Sequence, residues 1–117
     1  MASKKLDDLD PAFKIQVFEF LARAVEARLD VVIIETRRTE EAHRANVLAG
    51  RSWTKHSKHI DGLAIDVGLA ARLKEKNWSP EHPDWQRLGT VGQRCGLKWG
   101  GTWEKTPDLV HFEKILF

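Results

Sequence analysis

Asp61-Gly62-Leu63-Ala64-Ile65-Asp66-Val67-Gly68-Leu69 is the stretch whose reading decides the fold class. Asp-Gly is a turn signal, and Leu63 to Leu69 then reads as a strand. Upstream, Val31 to Ile34 is short, β-branched and bounded by polar residues, which predicts a buried strand. Downstream, Leu97 to Trp99 and Leu109 to Phe112 predict two more, with Gly100-Gly101 as a turn after the first. Helical signals fill the gaps. Asp10-Pro11 reads as an N-cap followed by proline at the first helical position. Phe13, Val17, Phe20, Leu21, Ala24 and Val25 then recur at three- and four-residue steps, a core-facing helix ending near Arg28. Thr39 caps a second helix, Glu40 to Ala49, with two acids in its first turn and Gly50 as terminator. A short helix is expected from Ala70 to Lys76, before a loop carrying Pro80 and Pro83. Asp84 is expected to cap the last helix, whose face is Trp85, Leu88, Val91 and Cys95 and whose end is Gly96. This order predicts an α+β fold, with helices packed on a small antiparallel sheet.

The length, 117 residues, suits one domain spanning 1–117. Hydrophobic residues at 42% and charged residues at 31% describe a globular chain, not a disordered one. The single cysteine, Cys95, excludes an internal disulfide and a Cys-rich zinc site, and reads as a small core residue. The longest uninterrupted apolar run is Val31 to Ile34, so no stable membrane association is expected. Met1 to Asp10 carries lysines but no apolar core of a secretory signal, so synthesis in the cytoplasm is expected. Nineteen basic residues against seventeen acidic give a formal charge of +2. They are scattered, apart from the short cluster Lys55, His56, Lys58 and His59, and no helix carries a basic stripe. Nucleic acid is therefore not the expected partner. The absence of a glycine-rich phosphate loop argues against a nucleotide-binding fold. Five tryptophans stand beside no tyrosine; Trp85, Trp99 and Trp103 lie in the final third, available for core packing or for ligand stacking.

Metal-capable groups concentrate in two segments, Ser57 to Asp66 and Asp108 to Glu113. Two neutral imidazoles and a carboxylate suit zinc, which takes nitrogen and oxygen donors and keeps a fourth position open when catalytic. His59 and Asp66 are separated by the glycine turn, so one sits at the turn and the other on the following strand. His111 must then arrive from a neighbouring strand, which spacing alone does not establish. Each of the three also reads as an ordinary polar residue beside a strand.

The string Ser57-x-His59-x-x-Gly62-x-Ala64-x-Asp66, followed by Asp108-x-x-His111-Phe112, resembles the zinc peptidases that cleave D-amino-acid-containing peptides of bacterial walls. That superfamily includes D-alanyl-D-alanine carboxypeptidases and dipeptidases, and the L-alanyl-D-glutamate endopeptidases of phage endolysins. Thr36-Arg37-Arg38-Thr39 resembles the family's strand-end arginine motif, and Gly100-Gly101-x-Trp103 its Gly-x-Trp segment. The resemblance implies Zn2+ on His59, Asp66 and His111, with Asp108 as catalytic acid/base. Asp108 and His111, three apart, cannot share a face of a regular strand, so a bend is expected at Asp108, beside Pro107. Arg38 is expected to stabilise the oxyanion; Arg37, one position off the motif, reads as a surface residue. Ser57 and Trp103 are the expected substrate-binding residues. Glu113 could orient a ligand from behind. His43 reads as part of a solvated helix face, and His56 and His82 match no motif position. The implied function is an endolysin-like L-alanyl-D-glutamate endopeptidase, made in the host cytoplasm and acting on peptidoglycan peptide after release. A monomer is expected. The alternatives are a D-alanyl-D-alanine carboxypeptidase or dipeptidase, and a zinc-containing wall-binding module without catalysis.

Overall fold

Local capping sets the first helix. In the computed structural model, which describes residues 3–50 and 57–115, the Asp10 carboxylate accepts the Phe13 N–H and starts α1 (Pro11–Glu26). Thr39 does the same for α2 (Glu40–Leu48), accepting from the Ala42 N–H. The remaining elements are β1 (Val31–Glu35), β2 (Ala64–Leu69), α3 (Ala70–Lys74), α4 (Pro83–Arg94), β3 (Leu97–Trp99) and β4 (His111–Lys114). The four strands form one antiparallel sheet in the order β1-β2-β4-β3. The α+β architecture expected from the sequence is therefore the one observed.

The core lies between the sheet and helices α1 and α4. Phe13, Val17, Phe20 and Ala24 come from α1, and Trp85 and Leu88 from α4. They meet Ile65, Val67 and Leu69 of β2, Trp99 of β3 and Phe112 of β4. Two glycines let α4 approach the sheet closely. A Cβ on Gly89 would lie 2.3 Å from the Trp99 ring, and one on Gly92 would lie 2.4 Å from the Phe112 ring. This accounts for a difference from the expected helix face: Gly89 and Gly92 are buried with Trp85 and Leu88, whereas Val91 and Cys95 are only half-buried.

Three local expectations need correction. The first concerns β1, which among the described strands is an edge strand paired with β2 alone, so Val32 stays 37% exposed and the strand is not buried throughout. The second concerns the last strand, which begins at His111 and not at Leu109. The His111 N–H bonds back to the Asp108 carbonyl at 3.3 Å, and this turn delays the strand. Lastly, α4 is capped by the His82 side chain, whose Nδ1 accepts the Asp84 N–H at 3.1 Å; Asp84 is already inside the helix. Among the described residues, no helix is long and apolar enough to cross a membrane.

Candidate metal centre

Asp66 on β2 pairs in register with His111 on β4, so the antiparallel ladder itself brings the carboxylate and the imidazole together. His59 arrives from the turn before β2. That turn is held by its own N–H bonding to Ser57 Oγ at 3.2 Å and by the Arg38 N–H bonding to its carbonyl at 3.0 Å. One ligand-type atom from each of His59, Asp66 and His111 lies within 4.8 Å of the others. His59 Nε2 is 3.1 Å from Asp66 Oδ1, and His111 Nδ1 is 3.2 Å from the same oxygen.

The far side of each ring is also engaged. His59 Nδ1–H donates to the Thr36 carbonyl at 3.0 Å, and His111 Nε2–H donates to Glu113 at 2.8 Å. A neutral imidazole donates from one nitrogen and accepts at the other. With both imidazoles neutral, each ring would turn an unprotonated nitrogen toward the Asp66 carboxylate. Three acceptors facing one another repel unless a proton or a cation sits among them. Two nitrogens and one oxygen fit a first-row divalent ion, with zinc among the suitable ones.

Electrostatics follow from this crowding. Burial opposes ionisation of Asp66, but hydrogen bonds from His111 and His59 outweigh it and hold the carboxyl well below the usual range. Burial would lower His111, yet its bonds to Asp66 and Glu113 raise it to about 9 in the metal-free protein. Glu113, penalised by burial but bonded by His111 and Lys58, is lowered to about 2. Asp108 is raised, first by burial and then by the charge of Asp66.

The other site residues expected from the sequence fall around this cluster. Asp108 lies in the turn before β4, its N–H bonded to the Gly100 carbonyl at 2.9 Å. Gly100 packs beneath it: a Cβ there would lie 2.6 Å from the Asp108 carbonyl oxygen and 3.1 Å from His111 Cβ. The Trp103 ring is tilted against the His111 ring, with centroids 5.2 Å apart. Ser57 is half-buried, and its hydroxyl supports the His59 turn. Arg38 pairs with Glu35 and lies 3.1 Å from His43 Nδ1, while its Nε is buried without a hydrogen-bond partner among the described residues. Arg37 is exposed and bonds the Ile60 carbonyl at 3.1 Å. Both arginines line a cavity of about 430 Å³ that also touches Ser3, Asp8, Thr39 and Ile60.

His43 corrects an expectation, since it is buried to 2% exposure beside Arg38 and not on a solvated face. His56 lies outside the described residues. Sequence reasoning missed Glu35. This carboxylate is aligned with Asp66 through a register irregularity between Ile33 and Glu35 and lies 3.6 Å from His59 Nδ1. Such irregularities re-aim a side chain, and nothing in Val-Val-Ile-Ile-Glu announces one.

The M15 peptidase family model described as D-alanyl-D-alanine carboxypeptidase matches residues 50–114. The chain belongs to this family. The match contains the three clustered groups and Asp108. Within the family, the chain is similar to the L-alanyl-D-glutamate peptidase of Listeria phage A118, with 34% identity over 86 residues. That alignment covers 73% of this chain and 30% of the phage protein, so the chain spans less than a third of that relative's length. Among solved structures, the Serratia marcescens L-Ala D-Glu endopeptidase ChiX superposes with a TM-score of 0.75 at 22% identity. It covers 98% of this chain and 89% of its own, which shows a shared fold.

Proposed function

We propose that the chain is a zinc-dependent peptidoglycan peptidase hydrolysing the L-alanyl-D-glutamate bond of bacterial stem peptides. One observation carries the metal-dependent part: two histidines, each with its outer N–H donated to a protein acceptor, turn their inner nitrogens onto one shared, half-buried carboxylate. The bond specificity is supported by the activity in the phage relative's name. His59, Asp66 and His111 would hold the ion. When bound, zinc supplies Lewis acidity that polarises a carbonyl and brings the pKa of a water toward about 7.

The chain's own residues supply the rest. Asp108 does not belong to the three-group cluster, so its carboxylate is left to take the proton of the attacking water and deliver it to the departing amine. Burial and the nearby Asp66 charge raise its pKa, which favours such an exchange. Arg38, whose main-chain N–H bonds the His59 carbonyl and whose side chain lines the adjoining cavity, is a cation suited to the negative oxygen that develops on the scissile carbonyl. Trp103, leaning on His111, would wall the peptide groove, and Ser57 would fix the approach to His59. The substrate lies in the wall, so an enzyme made in the host cytoplasm would act after release.

The family description favours a second reading, a carboxypeptidase that removes terminal D-alanine. Digestion of purified peptidoglycan followed by mass spectrometry separates the two. New L-alanine carboxyl ends are the expected product, and free D-alanine would instead establish the carboxypeptidase. Wall binding without any released ends would leave only a non-catalytic module.

A further inference from the structure

We infer that Lys58 and Glu113 are positioning residues that select the ring nitrogen His111 turns toward the metal centre. Glu113 lies two residues after His111 on β4, so both side chains leave the same face of the strand. Its cross-strand partner on β2 is Ala64, whose methyl leaves that face open. Both carboxylate oxygens are occupied. Oε1 accepts the His111 Nε2–H at 2.8 Å, and Oε2 accepts from the Lys58 ammonium. Lys58 also donates to the Lys114 carbonyl at 3.3 Å, which anchors it on β4 at two successive residues.

The two histidines are fixed by different means. His59 donates its outer N–H to the main-chain carbonyl of Thr36, a partner that no side-chain substitution removes. His111 depends on one carboxylate, itself oriented by a lysine 55 residues away in sequence. That lysine immediately precedes His59. The ion pair therefore ties the two segments that present the imidazoles and closes a ring through His59, Asp66, His111, Glu113 and Lys58. Without the Glu113 acceptor, His111 can take the other tautomer, in which the inward nitrogen carries hydrogen and cannot bind a cation. The apparent affinity then falls with the fraction of competent ring.

This inference rests on the metal-centre reading above, and the test separates the two. The full chain is titrated with zinc alone against a competing chelator, as wild type, Glu113→Ala, Glu113→Gln and Lys58→Met. Long-range proton–nitrogen NMR of the zinc-loaded imidazoles reports which nitrogen is bound. Wild type is expected to use His111 Nδ1 with Nε2 protonated. Glu113→Ala should weaken zinc binding by about 10–100-fold, the usual consequence of removing a partner behind a ligand. Glu113→Gln retains an oxygen acceptor and should recover most of that loss. Lys58→Met should fall between, and it stays informative if Glu113→Ala does not fold. Unchanged affinity and unchanged Nδ1 ligation in Glu113→Ala, or in Lys58→Met should the former not fold, overturn the inference while leaving the metal centre intact. Binding through His111 Nε2 in the wild type also overturns it alone. A wild type that binds no zinc overturns the centre and the inference together.

Discussion

Removing the metal should make the fold sensitive to alkali, and the size of the effect follows from His111. In the metal-free protein its pKa is raised from 6.5 to about 9, because the hydrogen bonds to Asp66 and Glu113 overcome the cost of burial. A group that binds its proton more tightly when folded stabilises the fold fully below its unfolded pKa. That contribution is lost as pH rises through the folded one. The ring is 10% exposed, so solvent screens it little. At about 1.4 kcal/mol per pH unit the difference amounts to about 3 kcal/mol. Metal-free protein should lose that much between about pH 6.5 and about pH 9, on the order of 10 °C in Tm for a domain of this size. Asp66 and Glu113 do not blur the window. Their folded pKa values are depressed, so their contribution is present above the ordinary carboxylate range and disappears only in acid. The zinc-loaded protein should lack the alkaline decline, since the ion occupies the place of the proton. Apparent zinc affinity should correspondingly rise by about tenfold per pH unit through the window and level off toward its upper end, as one proton is displaced. Thermal melts of chelated and zinc-loaded protein across this range, with a chelator competition at each pH, measure both. A metal-free Tm that stays flat from about pH 6.5 to about pH 9 would refute the reasoning, because His111 would then not carry the extra proton.

Other substitutions separate the roles within the site. Asp108→Asn should lower cleavage of purified peptidoglycan by about 10²–10⁴ while zinc content and melting stay near wild type; loss of zinc would make Asp108 a ligand instead. Arg38→Ala should reduce turnover by about 10²–10³, and Arg37→Ala much less, so equal behaviour would show that the wrong arginine has been assigned. Because Arg38 also pairs with the buried Glu35, its removal should destabilise the fold by about 3–5 kcal/mol, visible in urea unfolding. Gly100→Ala sets a methyl 2.6 Å from the Asp108 carbonyl and 3.1 Å from His111 Cβ. It should cut activity sharply in a protein whose circular dichroism is unchanged; full activity would mean that the Asp108 turn moves aside freely.

The helices and the sheet were legible because each carries a local signal. Asp10 and Thr39 cap where their residue types said they would, and the apolar steps along α1 mark its buried face. The clustering of His59, Asp66 and His111 was legible only as motif spacing, and the β2–β4 register supplies what spacing lacked. The failures are of another kind. His82 caps α4 through a ring nitrogen, although histidine is not among the usual capping types. Gly89 and Gly92 are buried because two aromatic rings from other elements need the space, which no helical periodicity encodes. Glu35 is drawn inward by an irregularity in the β1–β2 pairing, a property of two strands and not of one.

Charge balance ties these separate findings to the ion. The structure sets four carboxylates around the two imidazoles: Glu35, Asp66, Asp108 and Glu113. Arg38 neutralises Glu35, and Lys58 neutralises Glu113. Among the described residues, Asp66 and Asp108 have no lysine or arginine partner of that kind, and each raises the energy of the other's charge. With both histidines neutral, the centre therefore carries two uncompensated negative charges. A divalent cation would supply two positive ones at the point where the inner nitrogens converge. In its absence the cheapest substitute is a proton on His111, which explains why that ring holds its proton up to about 9. The same balance gives Asp108 its place. With a divalent ion on Asp66 and the histidines, Asp108 would keep a charge attracted to the ion without being needed to hold it, which is the condition that the proposed acid/base role requires.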